Sequence, residues 1–203
     1  MHIVRYMRTN TTMCPGLCVS VVEIGEGDGQ GFSPVEVYNR LREDVDSLDG
    51  LVVTSPDGDP TSIPNLHKII VSIKPPRLTC ILRCDGRHPD RIDDLLGAGY
   101  IDVIDLCVNS TLSKEQLECL EIVRRYNYEF MVTVEMVPGV IGVDEIRRIA
   151  LGSEGCRQFI MHPFDPRKNR DTPAEGMKGY RKKDLESIMD AVKGIVKNPR
   201  MVV

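Results

Sequence analysis

Two thiols, Cys14 and Cys18, stand four residues apart in Thr12-Met13-Cys14-Pro15-Gly16-Leu17-Cys18-Val19-Ser20-Val21. A loop of this kind can present thiolates to a metal, although two thiolates meet only part of the needs of an iron–sulfur cluster. A second candidate is the acidic turn Asp57-Gly58-Asp59-Pro60, which closes the apolar run Leu51-Val52-Val53-Thr54. A carboxylate there can hold a cationic amine, and the same residue types also make an ordinary solvated turn. Two further apolar runs end in Cys84-Asp85-Gly86 and in Cys107-Val108-Asn109. His162 follows another, while Cys107, Cys119 and the methionines at 131, 136 and 161 read as packing residues. No nucleophile–base pair stands out.

The elements that must position these groups alternate in type. Residues 3–12 read as a strand feeding the thiol loop. Ser33-Pro34-Val35-Glu36 is a helix start, with Ser33 as cap, Pro34 at the first position and Glu36 completing a capping box. Val37, Leu41 and Val45 then share one face, so this helix is amphipathic to about Ser47. Strands are predicted over 51–54, 77–83, 101–107, 128–137 and 157–162. Helices are predicted over 63–73, 89–96, 113–126, 143–151 and 182–197. Gly25-Glu26-Gly27-Asp28-Gly29-Gln30-Gly31 reads as a mobile connection, without the Lys-Ser/Thr of a phosphate loop. Six strand–helix units imply parallel pairing, with the working groups at the C-terminal strand ends. Cys14, Cys18, residues 57–61, Cys84, Asp85, Cys107, Asn109, Glu135 and His162 are all expected on that rim.

Bulk composition limits the function classes. A chain of 203 residues buries enough surface to need neither disulfide nor metal for its core. Seven cysteines without a small-domain framework fit a reducing compartment. No signal-peptide or membrane-spanning run is apparent, so a cytoplasmic protein is expected. From Asp165 onward there are ten Lys and Arg against six Asp and Glu, so an acidic body carries a basic tail. The acidic body and the absence of Trp leave no nucleic-acid footprint.

Taken in order, the motifs from Cys14 to Phe164 resemble a glycyl-radical-enzyme activase. The likeness is strongest to the anaerobic ribonucleotide reductase activating branch of the radical S-adenosylmethionine (SAM) superfamily. Ser33-Pro34-Val35-Glu36 is similar to that family's helix start after its cluster loop. Asp49-Gly50-Leu51-Val52-Val53 through Asp59-Pro60-Thr61 resembles its strand running into Gly-Gly-Glu-Pro-Thr. Cys84-Asp85-Gly86 stands where Thr-Asn-Gly would be. Gly99-Tyr100-Ile101-Asp102-Val103 and Tyr128-Glu129-Phe130 look like two later strands.

The resemblance implies an α/β fold, a partial (β/α)6 barrel of radical SAM type with a parallel sheet, as one domain over residues 1–203. Its core spans about 3–164, and a basic segment and helix fill 165–203. It also implies three thiolates holding a 4Fe-4S cluster, SAM bound at its open iron, and a glycyl-radical enzyme as partner. Cys14 and Cys18 match the first two cluster positions, but Val21 occupies the third. Asp57 and Asp59 alter the acidic turn, while Cys107, Asn109 and Met131 stand where the family carries other groups. The implied SAM-binding set is Asp57, Gly58, Asp59, Pro60, Asp85 and Asn109. The implied metal set is Cys14 and Cys18, with Cys84 or Glu23 as the substitute third ligand. The leading expectation is a degenerate member without the standard cluster, acting as a binding or accessory protein. The alternative is a working radical SAM activase with a non-standard third ligand.

Overall fold

The computed structural model describes residues 2–26, 31–56, 58–165 and 176–202. Asp57 and much of the expected mobile connection and basic segment lie outside them. The chain forms two compact units, one of residues 1–106 with 114–130, the other of 107–113 with 131–203.

In the first unit, β1 (His2–Asn10) and β2 (Val19–Gly25) pair antiparallel, with Met7 opposite Val21 and Asn10 opposite Val19. The strands β3 (Gly50–Thr54), β4 (Thr79–Cys84) and β5 (Val103–Val108) follow in order, each parallel to the one before. Helices α1 (Pro34–Asp44), α2 (Leu66–Ile73), α3 (Pro89–Gly97) and α4 (Lys114–Arg125) occupy the connections. Ser33 caps α1 as its sequence predicts, accepting from the Glu36 amide at 3.1 Å. The side chain of Glu36 instead pairs with Arg40 one turn on, at 2.6 Å.

The two faces of this sheet differ. A Cβ built on Gly86 would meet Leu106, Gln116 and Cys119, so Leu106 faces α4. Period-two alternation and the register Cys84–Leu106 and Leu82–Ile104 put those side chains on the same, helix-covered face. The opposite face carries Val21, Val52, Ile81 and Val103, and then a polar row of Glu23, Thr54, Arg83 and Asp105.

The second unit contains β6 from Met131 onward (Glu129–Met136), α5 (Val143–Gly152), β7 (Gln158–Pro163), α6 (Lys182–Val192) and β8 (Pro199–Met201). Its strands are parallel, with Glu135 beside His162 and Ile160 beside Arg200.

Two strands were not expected from the sequence. β8 follows a helix that ends at Val192 instead of Lys197, cut short ahead of Gly194, which sits at φ 83°. β2 matters more. Val19-Ser20-Val21-Val22 is buried on both faces, and a strand of that kind lacks the alternation that marks a half-exposed one. Val21 is therefore no loop residue; it is fully buried in the sheet, between Met7 and Val52.

Candidate functional site

The position of β2 reverses the place of the thiol loop. Val19 begins β2 level with Gly50 and Thr79, the first residues of β3 and β4. The Cys18 amide donates to Asp49 Oδ2 at 2.7 Å, and the Asp49 amide donates to the Cys18 carbonyl at 2.8 Å. Cys18 thus enters the parallel sheet at its N-terminal end, and not on the C-terminal rim expected for it, while the buried Cys14 thiol lies within electrostatic reach of Asp105 and Arg83. Asp59 and Asp85 follow the C-terminal ends of β3 and β4. A seven-residue strand separates the two poles by about 20 Å. Cys84 ends β4 with its side chain on the helix-covered face, apart from the Cys14–Cys18 loop.

The thiols themselves suit packing. Cys14 is fully buried, and burial, helped by Asp105 and opposed by Arg83, pushes its thiol up to about 12. Burial likewise drives Cys80 and Cys119 up to about 12, and Cys119 donates to the Gly86 carbonyl at 3.2 Å. All seven cysteines are free, and no three His, Cys, Asp or Glu side chains among the described residues converge as a metal site. Among the described residues, Cys14, Cys18 and Cys84 do not converge as a group that could hold a metal ion, so the donor set does not fit an iron–sulfur cluster.

The C-terminal pole holds the polar chemistry. Asp59 is buried at the head of a 3-10 turn, Pro60–Ser62, and its Oδ1 accepts from the Thr61 amide at 2.8 Å and the Thr61 hydroxyl at 2.6 Å. Burial raises the Asp59 carboxyl, but hydrogen bonds from Asp85, Thr61 and Arg87 outweigh it and hold the group below its ordinary value. Its neighbour moves the other way. Burial, then the hydrogen bond and charge of Asp59, push Asp85 up to about 6, against the pull of Arg87. Paired carboxyls commonly split in this way, one keeping the proton that the other gives up.

Beside this pair, a cavity of about 410 Å³ opens between the ends of β2 and β3. Glu26, Ser55, Gly58, Asp59 and Ser62 line it, so its wall carries two carboxylates and two hydroxyls. Pro60 is buried beneath the turn, and Asp57 lies outside the described residues. In the second unit Asn109 is exposed just past β5, Cys107 and His162 are half-buried, and Glu135 is exposed.

Sequence reasoning missed the polar row on the other face of the first unit's sheet. Arg83 lies 3.5 Å from the fully buried Asp105, and Arg5 lies 3.5 Å from Glu23. The available signal was a single charged residue inside each of the apolar runs Val19–Gly25, Thr79–Cys84 and Val103–Val108.

No protein-family model and no curated protein sequence matches the chain. The crystal structure of SuiB from Streptococcus suis, a radical SAM enzyme, superposes with a TM-score of 0.60 at 11% identity, over 85% of this chain. The chain has the radical SAM fold. It spans 44% of the SuiB chain, so less than half of that protein has a counterpart here. A second likeness is to the radical SAM methyltransferase TsrM from Kitasatospora setae, solved with tryptophan substrate and the SAM analogue aza-SAM. It has a TM-score of 0.47 and 12% identity over 64% of this chain and 30% of that one. The expected partial barrel with a parallel sheet agrees with this fold, with β1 as an antiparallel addition at its edge. No helix among the described residues is long and apolar enough to cross a membrane.

Proposed function

We propose that this chain is a radical-SAM-like binding or accessory protein that works without the three-thiol cluster and serves a partner in glycyl-radical activation. The observation that carries the reading is the entry of Cys18 at the N-terminal end of β2, the length of that strand from the acidic turn, with no metal-capable group among the described residues. In a working enzyme Cys18 and that turn would have to meet the same ligand. The connection that does leave the C-terminal end of β2, residues 26–33, contains glycines and acidic residues and no cysteine.

The ligand of this reading is SAM or a related cationic amine. The cavity beside Asp59 supports it, because carboxylates in a sheltered pocket favour a sulfonium or ammonium group. Asp59 and Glu26 are the two carboxylates that line the cavity, and the reading places weight on both. The active-enzyme alternative with Cys84 as third ligand finds no support in this arrangement.

Anaerobic reconstitution followed by calorimetry tests the proposal. Iron is expected well below four per chain, with SAM binding in the micromolar-to-millimolar range and at least tenfold weaker in Glu26→Gln. A stable cluster that disappears in Cys84→Ala would establish the active enzyme instead. Calorimetry against a glycyl-radical enzyme tests the partner, and no heat at micromolar concentrations removes that half of the reading.

A further inference from the structure

A second cavity in the first unit lies between α2 and α3, across the Pro60–Ser62 turn from the Glu26 cavity. It measures about 310 Å³, at the small end of small-molecule sites. Leu66, Leu95 and Thr61, all buried, line its interior. His67 and Tyr100, stacked with ring centroids 5.4 Å apart, form an aromatic wall. Arg91 and Asp94, exposed residues of α3, complete the lining.

Those two charges behave unlike others of the same spacing in the chain. Arg181 and Asp184 have the same spacing and order and close an ion pair at 2.8 Å. Glu145 with Arg148, and Asp190 with Lys193, also close at three-residue spacing. On α3 itself, Asp93 reaches across to Arg125 at 2.8 Å. Arg91 and Asp94 make no ion pair or side-chain hydrogen bond with any described residue, although both face one cavity. Opposite charges three apart on a helix sit roughly 5–6 Å from each other at Cβ. That span suits a small molecule that carries both signs on adjacent atoms.

We propose that this cavity binds a free amino acid with an apolar side chain. The guanidinium of Arg91 takes the carboxylate as a two-point hydrogen-bond acceptor, and Asp94 takes the ammonium group. The side chain enters against Leu66 and Leu95 and beside the His67–Tyr100 stack. A peptide end offers only one of the two charges, which is why a free amino acid is the occupant chosen.

The experiment uses the full chain and two-dimensional NMR, following the amides of His67, Gly97 and Tyr100. L-phenylalanine is the probe. Glycine lacks the side chain, N-acetyl-L-phenylalanine the ammonium group and L-phenylalaninamide the carboxylate. Saturable shifts are expected for L-phenylalanine, with each of the other three at least tenfold weaker. Arg91→Gln should abolish the preference over the amide, and Asp94→Asn the preference over the acetyl derivative. Both changes are at exposed positions, so both variants should fold. No saturable shift up to tens of millimolar overturns the proposal, as does binding of the amide or the acetyl compound as tight as that of the parent. Equal discrimination in the two variants and the wild type also overturns it.

Discussion

Asp59 and Asp85 share one backbone amide: the Arg87 N–H points between them, 3.3 Å from Asp59 Oδ2 and 3.1 Å from Asp85 Oδ1. The two carboxyls come from different strand ends and are held within hydrogen-bonding reach of each other. Around them stand Arg87, paired with Asp85 at 2.7 Å, with Asp90 on α3 and Glu118 on α4 contributing to the same field at Cys119. Only one excess proton is needed to make the pair stable.

The sign of its pH dependence follows. Folded Asp85 keeps its proton up to about 6, whereas the unfolded chain loses it near 4. Between those values the folded state binds more protons, so stability falls as pH rises through that window. Asp59, held low, contributes stability above the ordinary carboxylate range and loses it as pH falls below. Asp85→Asn keeps a donor for Asp59 and removes the charge. Discounted for the partial exposure of Asp85, the gain at pH 7.5 is about 1 kcal/mol, a rise of roughly 2–4 °C in melting temperature. No gain is expected at pH 4. Thermal unfolding at both values checks it, and an equal shift at each would contradict the shared proton.

Restoring a thiol at the third motif position should not restore a cluster. Val21→Cys places the new sulfur in the middle of β2, in a backbone fixed by its ladders to β1 and β3. The expected result is iron content equal to wild type after anaerobic reconstitution. A stability loss of about 1 kcal/mol from the smaller side chain should accompany it. Stoichiometric iron with thiolate charge-transfer absorbance would show that the loop and strand rearrange.

Arg83→Met should be costly. Asp105 is fully buried, and the Arg83 guanidinium is the cation placed against it. Removing the cation and leaving the carboxylate costs about 3–5 kcal/mol. The double change Arg83→Met with Asp105→Leu should recover most of that loss, because the buried charge is then removed with its counterion. Urea unfolding of the single and double variants measures the difference.

Gly86→Ala tests the turn that carries the dyad. Gly86 sits at φ +76°, and a Cβ there would come 2.7 Å from Leu106 Cδ1. Left-handed strain and the clash together should cost about 2–3 kcal/mol. Because Cys119 donates to the Gly86 carbonyl, its protection from thiol reagents should fall in parallel.

The parallel α/β alternation was legible because some helices begin with a cap or a proline and each of those strands is a short apolar run between turn residues. Ser33-Pro34 and Pro89 are examples that the structure retains. The thiol loop misled because Cys14 and Cys18 match the first two positions of a cluster loop by spacing, whereas the residues after Cys18 are buried as a strand. Spacing along a chain does not say at which end of a sheet a loop emerges. The polar row of Glu23, Thr54, Arg83 and Asp105 was hidden for a related reason. Its members are far apart in sequence, and only strand register brings them level.

The short turn Pro60–Ser62 is bounded on one side by the cavity of Glu26 and Asp59 and on the other by that of Arg91 and Asp94. Asp59, Ser62 and Ile63 face the first, while Thr61 faces the second and fixes Asp59 through its hydroxyl. Three residues therefore serve as a party wall. In an interior packed as densely as a crystal, a wall that bulges into one room must enlarge the other. Any ligand that presses on this turn changes the space left to the ligand across it.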